Sequence, residues 1–366
     1  MTSWTDKIIT LLFNLMYKKD RLIMIQYREQ AMKDKKILPV KYPSITCHQS
    51  FASLLSILEC IPDTKEWIYS NFIITEAFSY ISGYGEGSVE LVINPAYDFS
   101  IFCPWFWKSE LSHETISSFE PDIINFIIKC IDTDNYMLLF VDESKLNCID
   151  SEMPLFHDIF IYGYDYERKF FYVADFTFNH GKYKYETVSF SEISEAYSSA
   201  VSAGKNLNNE GAAKLWHVKS DAHYSLDVTL IRDELQEYLK GYSYSNRFTR
   251  VYWQAPLNKS GIDVYPFLCE NLDKSGMRKC LHNLYDHKQL MLERLGYLVN
   301  KGYISDKDKI QEKYSILVKD TQIAVNLYIK YSITGKIELL EKIKFILESI
   351  MEEEVRFFKH LLIVLS

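Results

Sequence analysis

The chain has 366 residues, 48% hydrophobic and 25% charged, with only 13 Gly and 9 Pro. Chain-wide disorder and collagen-like or linker-like structures are excluded, because this much apolar material can offset the entropy of ordering. The net charge of -8 argues against nucleic acid as the main partner, since phosphate neutralisation needs a clustered positive surplus.

Residues 1–24 predict an N-terminal helical extension, with Ile8, Leu11, Leu12 and Leu15 on one stripe. Its apolar stretch lacks the length and the small-residue cleavage site of a signal peptide. Met24 stands open as a later start. No apolar run reaches the roughly 18 residues of a membrane span. The seven cysteines (47, 60, 103, 130, 148, 269, 280) are odd in number, scattered and without a CxxC pair. That pattern predicts neither a disulfide framework nor paired zinc ligands, and the expected compartment is a reducing cytoplasm. Cysteine then matters chiefly as a nucleophile.

From about residue 25 to 220, short β-rich runs dominate: Ser88–Ile93, Tyr136–Val141, Asp158–Tyr164, Lys169–Ala174 and Thr187–Phe190. The segment Ser202–Ala213 reads as a linker or surface loop. Beyond it the pattern turns helical. Val228–Leu239 is stopped by Gly241, and Met277–Val299 carries Leu281, Leu284, Leu292, Leu295 and Leu298 at helical spacing. Asp306–Ser332 and Ile337–Leu365 predict two more long helices. The expected organisation is an α+β domain over 25–220 followed by a helical domain over 221–366. The run Glu352-Glu353-Glu354 reads as a solvated helix face.

Three segments carry chemistry. In Ile45-Thr46-Cys47-His48-Gln49-Ser50-Phe51, apolar residues at 51, 54, 55 and 58 predict a buried-face helix, with Ser44 and Thr46 as candidate caps. Cys47 on its first turn would face the positive end of the helix dipole, which favours thiolate. The alternative is a small buried hydrophobe, the usual fate of a free cysteine. The second and third segments, Phe156-His157-Asp158 through Asp165 and Lys169 through Phe176, flank a polar turn and predict a β-hairpin. His157 and Asp175 are equidistant from residue 166, so they are expected side by side across the strands. A carboxylate beside an imidazole fixes its tautomer and stabilises the imidazolium. A one-residue slip would part them, and a purely structural His–Asp pair is the alternative. Together the segments form a candidate Cys47–His157–Asp175 triad.

The Cys at a helix start, Val141-Asp142 ending a strand, Phe156-His157 leading into Tyr162-Gly163-Tyr164-Asp165, and Val173-Ala174-Asp175 resemble the papain-like thiol fold. More narrowly they resemble the butirosin biosynthesis protein H family. Tyr285-Asp286-His287-Lys288, Met291 and Arg294-Leu295 look like that family's C-terminal region. Similar proteins occur in closthioamide-type polythioamide assembly lines. The resemblance spans roughly residues 40–360. It implies a papain-like core with an added C-terminal helical domain. It also implies an acyltransferase of natural-product biosynthesis. Such an enzyme moves an acyl group from a phosphopantetheine carrier protein, acyl or peptidyl, through an acyl-Cys intermediate to an amine or diamine, forming an amide. Cys47 matches the nucleophile, His157 the base and Asp175 the orienting acid. Papain-like peptidases place a Gln six residues before the Cys, where this chain has Lys41, so the oxyanion donor is left open. A cysteine hydrolase using the same triad is the alternative, and a non-enzymatic binding module the third reading.

Lys33, Lys35, Lys36 and Lys41 are either a docking patch for an acidic carrier or a solubilising loop. Pro104-Trp105-Phe106-Trp107 is either core or an acyl channel. Gly83-Tyr84-Gly85-Glu86-Gly87 is expected to be a turn, lacking the Lys-Ser/Thr of a phosphate cradle. His282 and His287, five apart, do not share a helix face as two metal ligands would. No metal and no bound organic cofactor is expected.

Overall fold

The computed structural model describes residues 34–46, 48–81, 87–93, 103–147, 149, 153–176, 183–205, 211–242, 259–305, 307 and 309–365. The expected helix over 1–24, Cys47, Lys33, the glycine loop before Gly87 and residues 206–210 of the expected linker lie outside the described residues.

In chain order the elements are β1 (Lys35–Ile37), α1 (Gln49–Leu58), α2 (Thr64–Ser70), β2 (Thr75–Ile81), β3 (Gly87–Ile93), β4 (Phe106–Leu111), α3 (His113–Phe119), α4 (Ile123–Asp132) and β5 (Asn135–Asp142). Then follow β6 (Phe156–Asp165), β7 (Phe170–Asp175), β8 (Lys184–Ser189), α5 (Phe190–Ser202), β9 (Ala213–Val218), α6 (Val228–Leu239), β10 (Lys259–Ser260), α7 (Val264–Glu270), α8 (Met277–Asn300), α9 (Ile310–Thr334) and α10 (Glu338–Val364). The chain is thus a mixed helix-and-strand protein with a helical C-terminal region. No helix among the described residues is long and apolar enough to cross a membrane.

Two compact units result: residues 1–38, 109–178 and 184–217 form the first, and residues 39–108, 179–183 and 218–366 the second. This division differs from the expected boundary near 220. Segment 39–108, with α1, α2 and the β2–β3 hairpin, belongs with the C-terminal helices.

The first unit is built on an antiparallel sheet, with strands ordered β4-β9-β5-β6-β7-β8. Its centre, β5 and β6, is a run of apolar residues with both faces covered, so Met137 to Leu139 and Ile159 to Ile161 are fully buried. β5 pairs with the first part of β6, from Phe156 to Ile161, and β1 pairs with its last part, from Gly163 to Asp165. Gly163 is required there. A Cβ would stand 2.8 Å from the Lys36 carbonyl oxygen and 3.0 Å from the Ile37 Cα. α5 opens on a capping box, Ser189 with Glu192, and lays Ile193, Ala196 and Ala200 into the core.

The second unit pairs β2 with β3 and edges β2 with β10. α8 fastens onto this sheet and the segment before it. Asn283 donates to the Leu91 carbonyl (2.6 Å), and Arg294 donates through Nε to Tyr69 O (2.6 Å) and through Nη2 to Phe72 O (3.0 Å).

The run Glu352–Glu354 departs from expectation. Glu352 and Glu353 are exposed, but Glu354 is fully buried. Its Oε1 accepts from Lys288 Nζ (2.6 Å) and the Tyr314 hydroxyl (2.8 Å). Its Oε2 accepts from the hydroxyls of Tyr238 (2.8 Å) and Tyr265 (2.7 Å). Those donors come from α6, α7, α8 and α9, so five helices converge on one carboxylate of α10. Four donors satisfy a carboxylate's lone pairs, which is the condition for holding a buried charge. His287 joins this node. Its Nε2 lies 2.7 Å from Ile73 O and its ring stacks on Tyr238 at 5.8 Å. Burial and the adjacent Lys288 ammonium hold it neutral, well below the usual histidine range.

Candidate functional site

His157 sits on β6 between two flanking strands. Directly opposite it on β5 is Val141. Two residues beyond Val141 comes Glu143, on the same side of the sheet by the period-two rule. The chain turns there because Asp142, fully buried, accepts from the Ser144 N–H and hydroxyl, the Leu155 N–H (3.0 Å) and the Ser199 hydroxyl (2.7 Å). Burial works against the Asp142 anion, but these donors hold its carboxyl below the ordinary value. Glu143 then begins a short 3-10 turn, its N–H bonded to Leu155 O at 2.7 Å.

On the other flank, β7 meets β6 as the expected hairpin, but in a different register. The closing pair is Asp165 with Phe170, and Lys169 takes a left-handed conformation (φ 56°). From that closing pair, Asp175 would fall beside Phe160, on the opposite face from His157. A bulge at Tyr162, between Ile161 and Gly163, shifts the register by one, so that Phe160 pairs with Ala174. Continued by one residue, the register sets Asp175 beside Ile159, two along from His157 and on its face. The expected direct pairing is therefore replaced by a diagonal one, which long side chains still bridge.

The contact itself forms. His157 Nδ1 lies 3.5 Å from Asp175 Oδ2, and equally 3.5 Å from Glu143 Oε1. Glu143 and Asp175 are fully buried, whereas the His157 side chain keeps 37% of its exposure. Nδ1 itself is buried. His157 Nε2 is 3.7 Å from Asp158 Oδ1. Burial opposes the imidazolium, but Asp175, Glu143 and Asp158 outweigh it and raise His157 well above the usual range. Burial, then the charge of Asp175, push the Glu143 carboxyl up to about 8. Glu143 escapes the sequence reading because residues 143–155 form a long connection, to which hairpin arithmetic does not apply.

Glu143, His157 and Asp175 are also a group whose ligating atoms, all within 4.8 Å of one another, a single metal ion could span. His282 Nε2 lies 3.2 Å from Thr46 Oγ1, whereas His287 Nε2 lies 2.7 Å from Ile73 O.

Cys47 lies outside the described residues. Its flanks are described. His48, not Ser44 or Thr46, is the N-cap of α1, with extended φ -153° and ψ 145° and no side-chain cap bond. α1 itself begins at Gln49. Thr46 is held elsewhere. Its N–H and hydroxyl donate to Asp286 Oδ2 (2.7 and 3.1 Å), and its Oγ1 lies 3.2 Å from His282 Nε2. The expected motif on α8 therefore anchors the residue preceding Cys47.

Contacts place two further residues singled out in the sequence. Lys36 is mostly buried, donating to Asp132 O (2.9 Å) and pairing with Asp134 (2.7 Å). Trp105 is core, edge-on to Trp67 at 6.4 Å, while Trp107 is exposed under the Lys219 ammonium.

No protein-family model matches the chain, and no curated protein matches it either.

Proposed function

We propose that the chain is a cysteine acyltransferase that forms amides on a papain-like core. Cys47 is the nucleophile, His157 the base and Asp175 its orienting acid. The observation that carries the reading is the His157 ring, partly exposed and approached at a buried Nδ1 by the buried Asp175 carboxylate. Such a carboxylate orients the ring as a base.

In the first step the Cys47 thiolate attacks the carbonyl carbon of a carrier-bound pantetheine thioester. The carbon–sulfur bond to the pantetheine breaks, and that thiol leaves with the proton from the His157 imidazolium. Exchanging one thioester for another is close to isoenergetic. In the second step an amine attacks acyl-Cys47, His157 takes the amine proton, and the Cys47 thiolate departs. Amide formation supplies the driving force, provided water is kept from the acyl-enzyme.

Product analysis tests this. With an acyl thioester and an amine, amide is expected as the main product, and Asp175→Asn is expected to slow its formation by about 10²–10⁴-fold, the usual worth of a positioned base. Free acid as the sole product would make the chain a hydrolase. No product, with Cys47 unmodified, would refute both.

A further inference from the structure

We propose that Glu143, His157 and Asp175 form a binding site for one zinc-like divalent cation, with Glu143 Oε1, His157 Nδ1 and Asp175 Oδ2 as its ligands, and that filling it switches the base off. The site stands apart from the acyltransferase reading, whereas the switch rests on it.

The donor set points to a cation. One imidazole nitrogen and two carboxylates are ligands that zinc takes, with a fourth position left for water or another group. Nδ1 lies 3.5 Å from each carboxylate oxygen, and all three atoms lie within 4.8 Å of one another. Two ligands of a tetrahedral zinc stand about 3.4 Å apart. A separation of 3.5 Å therefore suits a shared ion better than a hydrogen bond, whose N–O distance is about 2.9 Å.

Glu143 supplies an independent observation. Its side chain has no exposed surface, and neither oxygen has a hydrogen-bond partner. Its only ion pair among the described residues is with His157. A carboxylate buried in this way is costly, and one imidazolium does not compensate two carboxylates. A divalent cation does.

The surroundings fit the outer shell of a metal site. A ligating histidine has a carboxylate, carbonyl or water at its other ring nitrogen, and ligating carboxylates are themselves hydrogen-bonded. Asp158 Oδ1 stands 3.7 Å from His157 Nε2, and Asp175 Oδ1 accepts from the Phe176 N–H (2.5 Å). The expectation of no metal rested on cysteine and histidine spacing. That spacing does not reach a group assembled from a turn and two strands whose register depends on a bulge.

Binding exchanges the protons held by these groups for the ion. Nδ1 then gives its lone pair to the metal, and Nε2 keeps its proton. The loaded ring has no nitrogen left to accept a proton from a thiol or an amine.

The test is titration of the full chain, stripped with EDTA, with Co²⁺ as a spectroscopic substitute for zinc, for wild type and Glu143→Gln. Wild type should bind one equivalent with the visible bands of a four-coordinate ion, and Zn²⁺ should displace it. The sulfur-to-cobalt charge-transfer band that a cysteine ligand adds should not appear. Loss of an outer-shell partner already weakens a site by about 10–100-fold, so Glu143→Gln, its fold checked by circular dichroism, should bind at least about 10-fold more weakly. Amide formation by wild type should stop at one equivalent of Zn²⁺ and return with EDTA. No uptake by wild type, uptake with a sulfur band, or equal affinity in Glu143→Gln would overturn the proposal. So would undiminished amide formation by the loaded chain. A chain that binds the ion through these ligands yet forms no amide when metal-free would refute the acyltransferase reading alone.

Discussion

Glu354 is where the second unit is most vulnerable. Glu354→Gln keeps the shape but removes the charge, and its amide offers donors to neighbours that are themselves donors. Lys288, with no exposed side-chain surface, is left without its anion. Breaking a buried pair from one side costs about 3–5 kcal/mol. At about 2–4 °C per kcal/mol for a unit of this size, the melting temperature should fall by about 6–20 °C. Lys288→Met should cost less than Glu354→Gln. The three tyrosine hydroxyls from α6, α7 and α9 still satisfy the carboxylate, and the lost stem is replaced. The double variant should be more stable than the sum of the single losses by about 0.5–3 kcal/mol, the range for groups in one network. Thermal denaturation of the full chain, read by circular dichroism at 222 nm, gives all four values. A melting temperature for Glu354→Gln within a degree or two of wild type would refute the convergence of five helices on this carboxylate.

Gly163→Ala should force β1 from β6 and cost about 1–3 kcal/mol in urea denaturation, the usual penalty for overpacking. Gly87→Ala, with open space around it, should cost no more than about 0.5 kcal/mol. Glu143 also predicts a pH slope. The folded chain keeps its proton up to about 8, whereas the unfolded chain loses it near the ordinary 4.5. The folded state therefore binds more protons between those values, and this group's contribution to stability falls as pH rises through that window. Glu143→Gln should flatten the decline in melting temperature from pH 5 to pH 8, and an unchanged decline would contradict the buried acid.

Much of this fold is legible in the sequence where local pattern and tertiary need agree. Val228–Leu239 is found at both ends because Asp227 caps it and Gly241 follows it at positive φ. The β6–β7 hairpin is legible because both strands are apolar and β-branched or aromatic around one polar turn. Its register is not. The turn closes on Asp165 and Phe170, and the bulge at Tyr162 adds a second shift, so the His157–Asp175 contact is reached by a diagonal that symmetry about residue 166 does not describe. α3 and α4 are missed because their short segments, 7 and 10 residues, carry too few turns for periodicity to stand out. Glu354 is misread when the run of glutamates is taken as a unit, for it alone falls on the stripe of Leu347, Ile350, Phe358 and Leu361. Only the distant tyrosines and Lys288 make its position tolerable. For the same reason the C-terminal helices read as a separate domain, although residues 39–108 complete their unit.

The proposed acyltransferase requires an ionised Cys47, with His157 supporting the ionisation. The direct measurement is the rate of iodoacetamide alkylation at Cys47 against pH, read by peptide mass for wild type and His157→Ala. Substantial reaction is expected in wild type at pH 6, well below the ordinary thiol value of about 8.5, with loss of that low-pH reactivity in His157→Ala. Alkylation that rises only near pH 8.5, with the same profile in both proteins, would contradict it.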